Sequence, residues 1–235
     1  MKEQNSRENQ AIVREAKKDK LISRIPLLTW DEDYNLLFDF CNSDIKLELN
    51  DIKRLLNIED KSMIDVFLQE YILFDENDKA YLELFIDDNL EHENTEYVSD
   101  LLYFATDWSL NINYLKVLNL IKNHAKDENY VVLGAINYIS NNIKYYYIEE
   151  IVSSFNSVVN SSDYFQSEQV LASISLYRIT RKQSFLDFVV ELIDYDNSNL
   201  VFLTNLLGEK SYREEYFDLT EIRHKVFKKI SSKNI

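Results

Sequence analysis

The sequence predicts an all-α fold built largely from stacked helix pairs. Three observations carry that expectation. Apolar residues recur at spacings of three and four along almost the whole chain, and no segment alternates in the manner of a strand. Only two glycines and one proline interrupt 235 residues, too few for a fold rich in tight turns. The composition, 46% hydrophobic and 29% charged, is that of an ordinary globular protein, so wholesale disorder is not expected.

Taken in chain order, residues 1–24 form a charged N-terminal arm or helix with 7 basic and 4 acidic side chains, and Ile12, Val13, Ala16, Leu21 and Ile22 as its apolar part. The opening lacks the apolar stretch of a signal peptide, and no later run approaches bilayer-spanning length. The chain is therefore expected in the cytoplasm, without a membrane partner.

Residues 25–79 read as an N-terminal helical subdomain packed on the repeats. Thr29-Trp30-Asp31-Glu32 has the form of a capping box, opening a helix whose stripe includes Leu36, Leu37 and Phe40. Asn50 and Asp51 open a second helix with Ile52, Leu55 and Leu56; Met63, Val66, Phe67 and Tyr71 belong to a third. Asp75-Glu76-Asn77-Asp78 reads as a polar turn before Ala80.

Residues 80–235 carry the repeats. Ala80-Tyr81-Leu82, Asn113-Tyr114-Leu115, Tyr146-Tyr147-Ile148 and Ser184-Phe185-Leu186 each place an aromatic before an aliphatic at a helix head, at separations of 33, 33 and 38 residues. Glu96-Tyr97-Val98, Asn129-Tyr130-Val131, Glu168-Gln169-Val170 and Ser198-Asn199-Leu200 head the partner helices at separations of 33, 39 and 30. Ala105 and Gly134-Ala135, small residues at the centre of partner helices, suit close stacking. Asn160-Ser161-Ser162-Asp163 lengthens the third unit and is expected to project from an edge. Ser211-Tyr212-Arg213-Glu214 caps a further helix. A last helix begins at Thr220, with Ile222, Val226 and Ile230 on one face and Arg223, Lys225, Lys228 and Lys229 on the rest, a suitable C-terminal capping helix.

Over about residues 80–207 the chain resembles HEAT-like α-helical repeats, whose second helices open on an acidic or amide residue followed by a valine and later a small residue. Asn129-Tyr130-Val131 with Ala135 and Glu168-Gln169-Val170 with Ile174 carry that likeness. The resemblance implies a right-handed stack of antiparallel helix pairs with a concave binding surface and no chemistry of its own. The Trp, Leu-Gly and Pro positions of tetratricopeptide repeats and the Thr-Pro-Leu-His of ankyrin repeats are absent.

Charge is the strongest functional signal. The chain holds 26 basic and 41 acidic side chains, a net charge of -15. From Asp75 to Asp107, 11 acids accompany one cation, Lys79. Such a field repels nucleic acid and anionic membranes and attracts basic partners, although acidity also serves solubility alone.

Little points to catalysis. Phosphate loops, dinucleotide turns and nucleophile elbows need glycines at fixed offsets, and Gly134 and Gly208 cannot supply them. The lone Cys41, beside Phe38 and Phe40, suits a buried thiol. His92, His124 and His224 are too far apart in sequence to form a local metal pair; Asp87, Asp88, Glu91 and His92 suit a solvated acidic turn better than a metal site. Carboxylate neighbours such as Glu149 and Glu150 or Glu214 and Glu215 are too common here to mark acid and base chemistry. No cofactor, metal or enzymatic activity is expected.

Sixteen tyrosines are the remaining excess. Tyr145, Tyr146 and Tyr147 would fan over about 200 degrees as consecutive helical residues, so at least one should reach the surface, even though packing between successive helices suits any single tyrosine better. The candidate partner-binding residues are therefore Asp87, Asp88, Glu91, Glu93 and Glu96 with Tyr145, Tyr146 and Tyr147. The expectation is a non-catalytic module that binds a basic protein. Its acidic, glycine-poor profile, rich in Asn, Lys, Ile and Tyr, is similar to that of bacterial immunity proteins, which implies occlusion of a basic toxin domain. The alternative is a scaffold or adaptor subunit of a larger assembly.

Overall fold

The computed structural model describes residues 2–125, 130–195, 224 and 228. Among the described residues eleven α-helices and two short 3-10 turns have defined bounds, His224 and Lys228 are also helical, and no strand occurs. Contacts divide the chain into two compact units, Met1–Asn89 and Leu90–Ile235.

The first unit holds α1 (Lys2–Arg24), a 3-10 turn (Ile25–Leu27), α2 (Trp30–Cys41), α3 (Leu49–Leu56), α4 (Lys61–Glu70) and α5 (Glu76–Asn89). Pro26, which has no N–H to continue a ladder, falls where α1 gives way to the turn. The expected arm is thus one helix, and its end is docked: Leu21 and Ile25 are buried with Leu37, Phe40 and Phe67. Arg24 holds Asp33 at 2.8 Å and Glu32 at 3.3 Å. The guanidinium pulls the Asp33 carboxyl below its ordinary range.

Two helix starts differ from expectation. Thr29 is the N-cap of α2, but its side chain makes no cap bond; its N–H donates to Asp33 Oδ2 at 3.3 Å, whereas Glu32, the expected partner, meets Arg24. The acids at 75–78 are not a turn before Ala80 but the start of α5. Asp75 Oδ1 accepts the Asn77 and Asp78 N–H groups, and Asp78 Oδ2 accepts the Asp75 N–H, a reciprocal cap made by two aspartates. The Tyr71 hydroxyl, buried, accepts the Leu47 N–H at 2.8 Å and so ties the α2–α3 connection to the end of α4. Burial pushes that hydroxyl up to about 12.

The second unit holds α6 (Thr95–Asp107), α7 (Tyr114–Asn123), α8 (Val131–Asn141), a 3-10 turn (Tyr145–Tyr147), α9 (Ile148–Asn160), α10 (Gln166–Thr180) and α11 (Ser184–Tyr195). Successive helices pack as pairs, α7 on α8, α9 on α10 and α10 on α11. Helices two apart in sequence also meet: α6 with α8, α8 with α10, and α7 with α9. The result is two layers of helices, and α6 runs parallel to α8. Ser99 and Leu102 of α6 face Gly134, while Tyr138, a turn later on α8, reaches Leu110 just past the end of α6.

The helix heads fall near their expected places, at Thr95, Tyr114, Ile148, Gln166 and Ser184. Asn94 and Asn113 are working N-caps, accepting the Tyr97 and Lys116 N–H groups. With glycine scarce, Ser109 and Arg181 take the left-handed positions just past α6 and α10, with φ of 52° and 57°. The longer turn at 160–165 does not simply project. Tyr164 donates to the Ile121 carbonyl at 3.1 Å, and Gln169 Nε2 donates to the Ser161 carbonyl at 2.9 Å. The heads at Asn129 and Ser198, the Ser211 cap and most of the helix from Thr220 lie outside the described residues.

Tyr138 closes the α6–α7 connection. Its hydroxyl donates to the Leu110 carbonyl at 2.8 Å and accepts the Ile112 N–H at 3.2 Å, both buried. Tyr138→Phe leaves two backbone groups without that partner and is expected to lower stability by about 2 kcal/mol, read by urea denaturation. A variant as stable as the parent would show that the connection rearranges at no cost.

Candidate protein-binding surface

The acidic residues separate by what their positions do for the fold. Asp87, half-buried, and Asp88, exposed, lie in the last turn of α5, where a helix macrodipole disfavours carboxylates. Helix stability therefore does not account for them. Glu91 and Glu93, exposed, belong to the turn before α6, and Glu96 lies in its first turn, where a carboxylate is favoured. His92 is committed to that turn: its Nδ1 accepts the Asn94 N–H at 3.0 Å and its ring meets the Tyr97 ring edge-on, centroids 5.3 Å apart. Among the described residues no group of three His, Cys, Asp or Glu side chains is arranged to hold a metal ion. Cys41 is buried, and its thiol is pushed up to about 12 by burial and then by the Glu70 charge.

The tyrosine triplet forms a 3-10 turn at the head of α9 rather than three helical positions. Tyr145 is 84% exposed and Tyr146 73%, whereas Tyr147 is half-buried. Tyr146 meets Tyr147 at 4.5 Å between centroids, Tyr147 stacks on Tyr114 at 5.3 Å and 8°, and Tyr114 meets the buried Tyr138 at 6.4 Å. A ladder of four rings thus runs from solvent into the core. Lys144 Nζ lies 5.3 Å from the Tyr114 centroid and donates to Asn111 Oδ1, which joins the turns that precede α7 and α9. Burial raises the Tyr114 hydroxyl, keeping it protonated.

This arrangement presents rigid aromatic surface at little further entropic cost, because Tyr147 fixes the ring against which Tyr146 rests. Glu149 and Glu150, both exposed in the first turn of α9, give the surface its sign. Carboxylates at that position suit the helix macrodipole. The sequence signal was present in Tyr-Tyr-Tyr-Ile-Glu-Glu, but an abundance of carboxylates elsewhere concealed it.

The two groups of candidate residues are not brought together. Glu91, Glu93 and Glu96 lie where α6 begins. Tyr147 joins, through Tyr114 and Tyr138, the region where α6 ends, a helix length of about 20 Å away. Nor do the second helices offer an open face. Every residue of 131–140 on α8 and of 168–177 on α10 is buried. Among the described residues of this unit the exposed aromatics lie at helix heads instead: Tyr130, Tyr145, Tyr146 and Phe165.

No helix among the described residues is long and apolar enough to cross a membrane. The fold and the surface together define an all-helical protein with exposed, rigidly mounted aromatic side chains. No family model matches the chain, and comparison with curated proteins and with solved structures returns no match.

Proposed function

We propose that this chain is a non-catalytic protein-binding module whose partner is basic, and that the second unit is a right-handed, HEAT-like stack presenting its binding surface at helix heads. The observation that carries the reading is the pair Tyr145 and Tyr146, 84% and 73% exposed beside Glu149 and Glu150, with the Tyr146 ring resting on Tyr147 and, through it, on the buried Tyr114. Tyrosines supply contact area, carboxylates supply sign, and a net charge of -15 steers a cationic partner toward the surface. The mode of action that fits is occlusion of a basic active site, as in an immunity-type inhibitor of a toxin or effector. Asp87 and Asp88 form a separate acidic site that helix stability does not require.

The test is capture of partners on the tagged protein from its native lysate at low and high salt, with mass spectrometry of what is retained. A basic protein held at low salt and released at high salt is the expected result. Tyr145→Ala and Tyr146→Ala should each weaken that partner by about tenfold or more with thermal stability unchanged, since both rings are exposed. Asp87→Lys with Asp88→Lys should chiefly slow association. Retention of neutral or acidic subunits that resist high salt would instead make the protein an adaptor in an assembly and end the inhibitor reading.

A further inference from the structure

A second surface lies in the first unit and does not depend on Tyr145 and Tyr146. Along α2, Trp30, Tyr34 and Phe38 recur every fourth residue, with ring centroids 4.7 and 5.7 Å apart. The same helix buries Leu37, Phe40 and Cys41, so this ladder is additional to its core face. Trp30 is 47% exposed, Leu27 just before it 67%, and Tyr34 and Phe38 are partly open.

Helix α4 packs alongside the helix that carries the ladder. The Trp30 N–H donates to Asp60 Oδ2 at 2.9 Å, joining the two helix starts, and Asn42 Nδ2 donates to Glu70 Oε2 at 3.2 Å, joining the two ends. Parallel helices so matched expose an aromatic strip about 12 Å long, roughly two helical turns. Asp31 and Asp39 are exposed on α2, and Asp60, Asp65 and Glu70 belong to α4 or its cap. The only cation on either helix is Lys61, and Arg24 is already held by Glu32 and Asp33.

We propose that the α2–α4 seam docks an amphipathic basic helix of a partner protein. Its apolar face lies on Leu27, Trp30, Tyr34 and Phe38, and its arginines or lysines reach Asp31 and Asp39. Charge selects this occupant over a second copy of the chain, because two such seams would place the exposed Asp31 and Asp39 of one against those of the other. Arginine is favoured at the aromatic edge, where its planar cation stacks on Trp30.

Trp30 reports on its own site once Trp108, the other tryptophan, is replaced. In full-length Trp108→Phe protein, a synthetic amphipathic helix of leucine and arginine long enough to span the ladder is expected to give a saturable blue shift of Trp30 emission. A scrambled peptide of the same composition, which has no apolar face, should bind about tenfold more weakly. Asp31→Asn with Asp39→Asn should weaken the ordered peptide by about tenfold, with Tyr145→Ala and Tyr146→Ala leaving it unchanged. Equal binding of the two peptides, absence of a Trp30 response, or indifference to the Asp31 and Asp39 changes would overturn the proposal. So would a concentration-dependent dimer by sedimentation in which Trp30 is shielded without peptide, which would assign the seam to a second copy.

Discussion

Gly134→Leu is expected to destabilise the protein by about 3 kcal/mol, the upper part of the range for overpacking a close-packed contact. A Cβ at position 134 would already lie 3.4 Å from Leu102 Cβ and 3.4 Å from Ser99 Oγ, so the branches of leucine have no room unless α6 and α8 separate. Gly134→Ala carries the opposite sign. Its methyl would sit at ordinary contact distance, and alanine in a helix interior is favoured over glycine by about 1 kcal/mol, so this variant should match or exceed the parent. Urea denaturation of both variants reads the contrast. A leucine variant as stable as the parent would mean that α6 and α8 are less closely fitted than this contact requires, whereas a damaging alanine would mean that the fit is closer still.

Replacing Glu168 by glutamine should remove a pH dependence. Glu168 is buried in the first turn of α10, where its Oε2 accepts the Phe165 N–H at 2.9 Å. Burial dominates that hydrogen bond and raises the carboxyl to about 7, against an ordinary 4.5. Between those values the folded protein keeps a proton that the unfolded chain has lost. Stability from this group is therefore fully present below the unfolded value and declines as pH rises through 4.5 to 7, by about 3 kcal/mol in all. Glutamine keeps the oxygen acceptor and cannot ionise. The variant and parent should be similar at pH 5, with the variant the more stable at pH 8. Parallel curves across that interval would show that Glu168 is charged in the fold throughout.

Both predictions rest on positions whose residue type was visible in the sequence and whose environment was not. Gly134 stood out as one of only two glycines, but a 3.4 Å neighbour exists only once α6 has been laid on α8. Glu168 read as a polar helix head; its burial comes from packing α10 against α8, α9 and α11, which closes around the first turn as well as the helix centre. The same difference separates Thr29 from Asp75. A capping box is local in sequence, yet at the first Glu32 meets Arg24 of α1 and Asp33 takes the Thr29 N–H instead. At the second, Lys46 engages only the other oxygen of Asp75, so the reciprocal Asp75–Asp78 bonds stand and a stretch of acids becomes a helix start.

The all-helical class and the helix heads at 95, 114 and 184 were determined by the sequence itself. They arise from short-range physics: apolar spacing, side-chain caps and the scarcity of glycine and proline act within a few turns of one helix. Only the tertiary structure decided that Tyr145 and Tyr146 stand outside while Tyr147, Tyr114 and Tyr138 support the Tyr146 ring from within, that Glu91, Glu93 and Glu96 lie about a helix length from those rings, and that α2 turns an aromatic ladder toward solvent. Exposure is a property of what a neighbouring helix covers, and that neighbour is set by contacts between residues far apart in sequence.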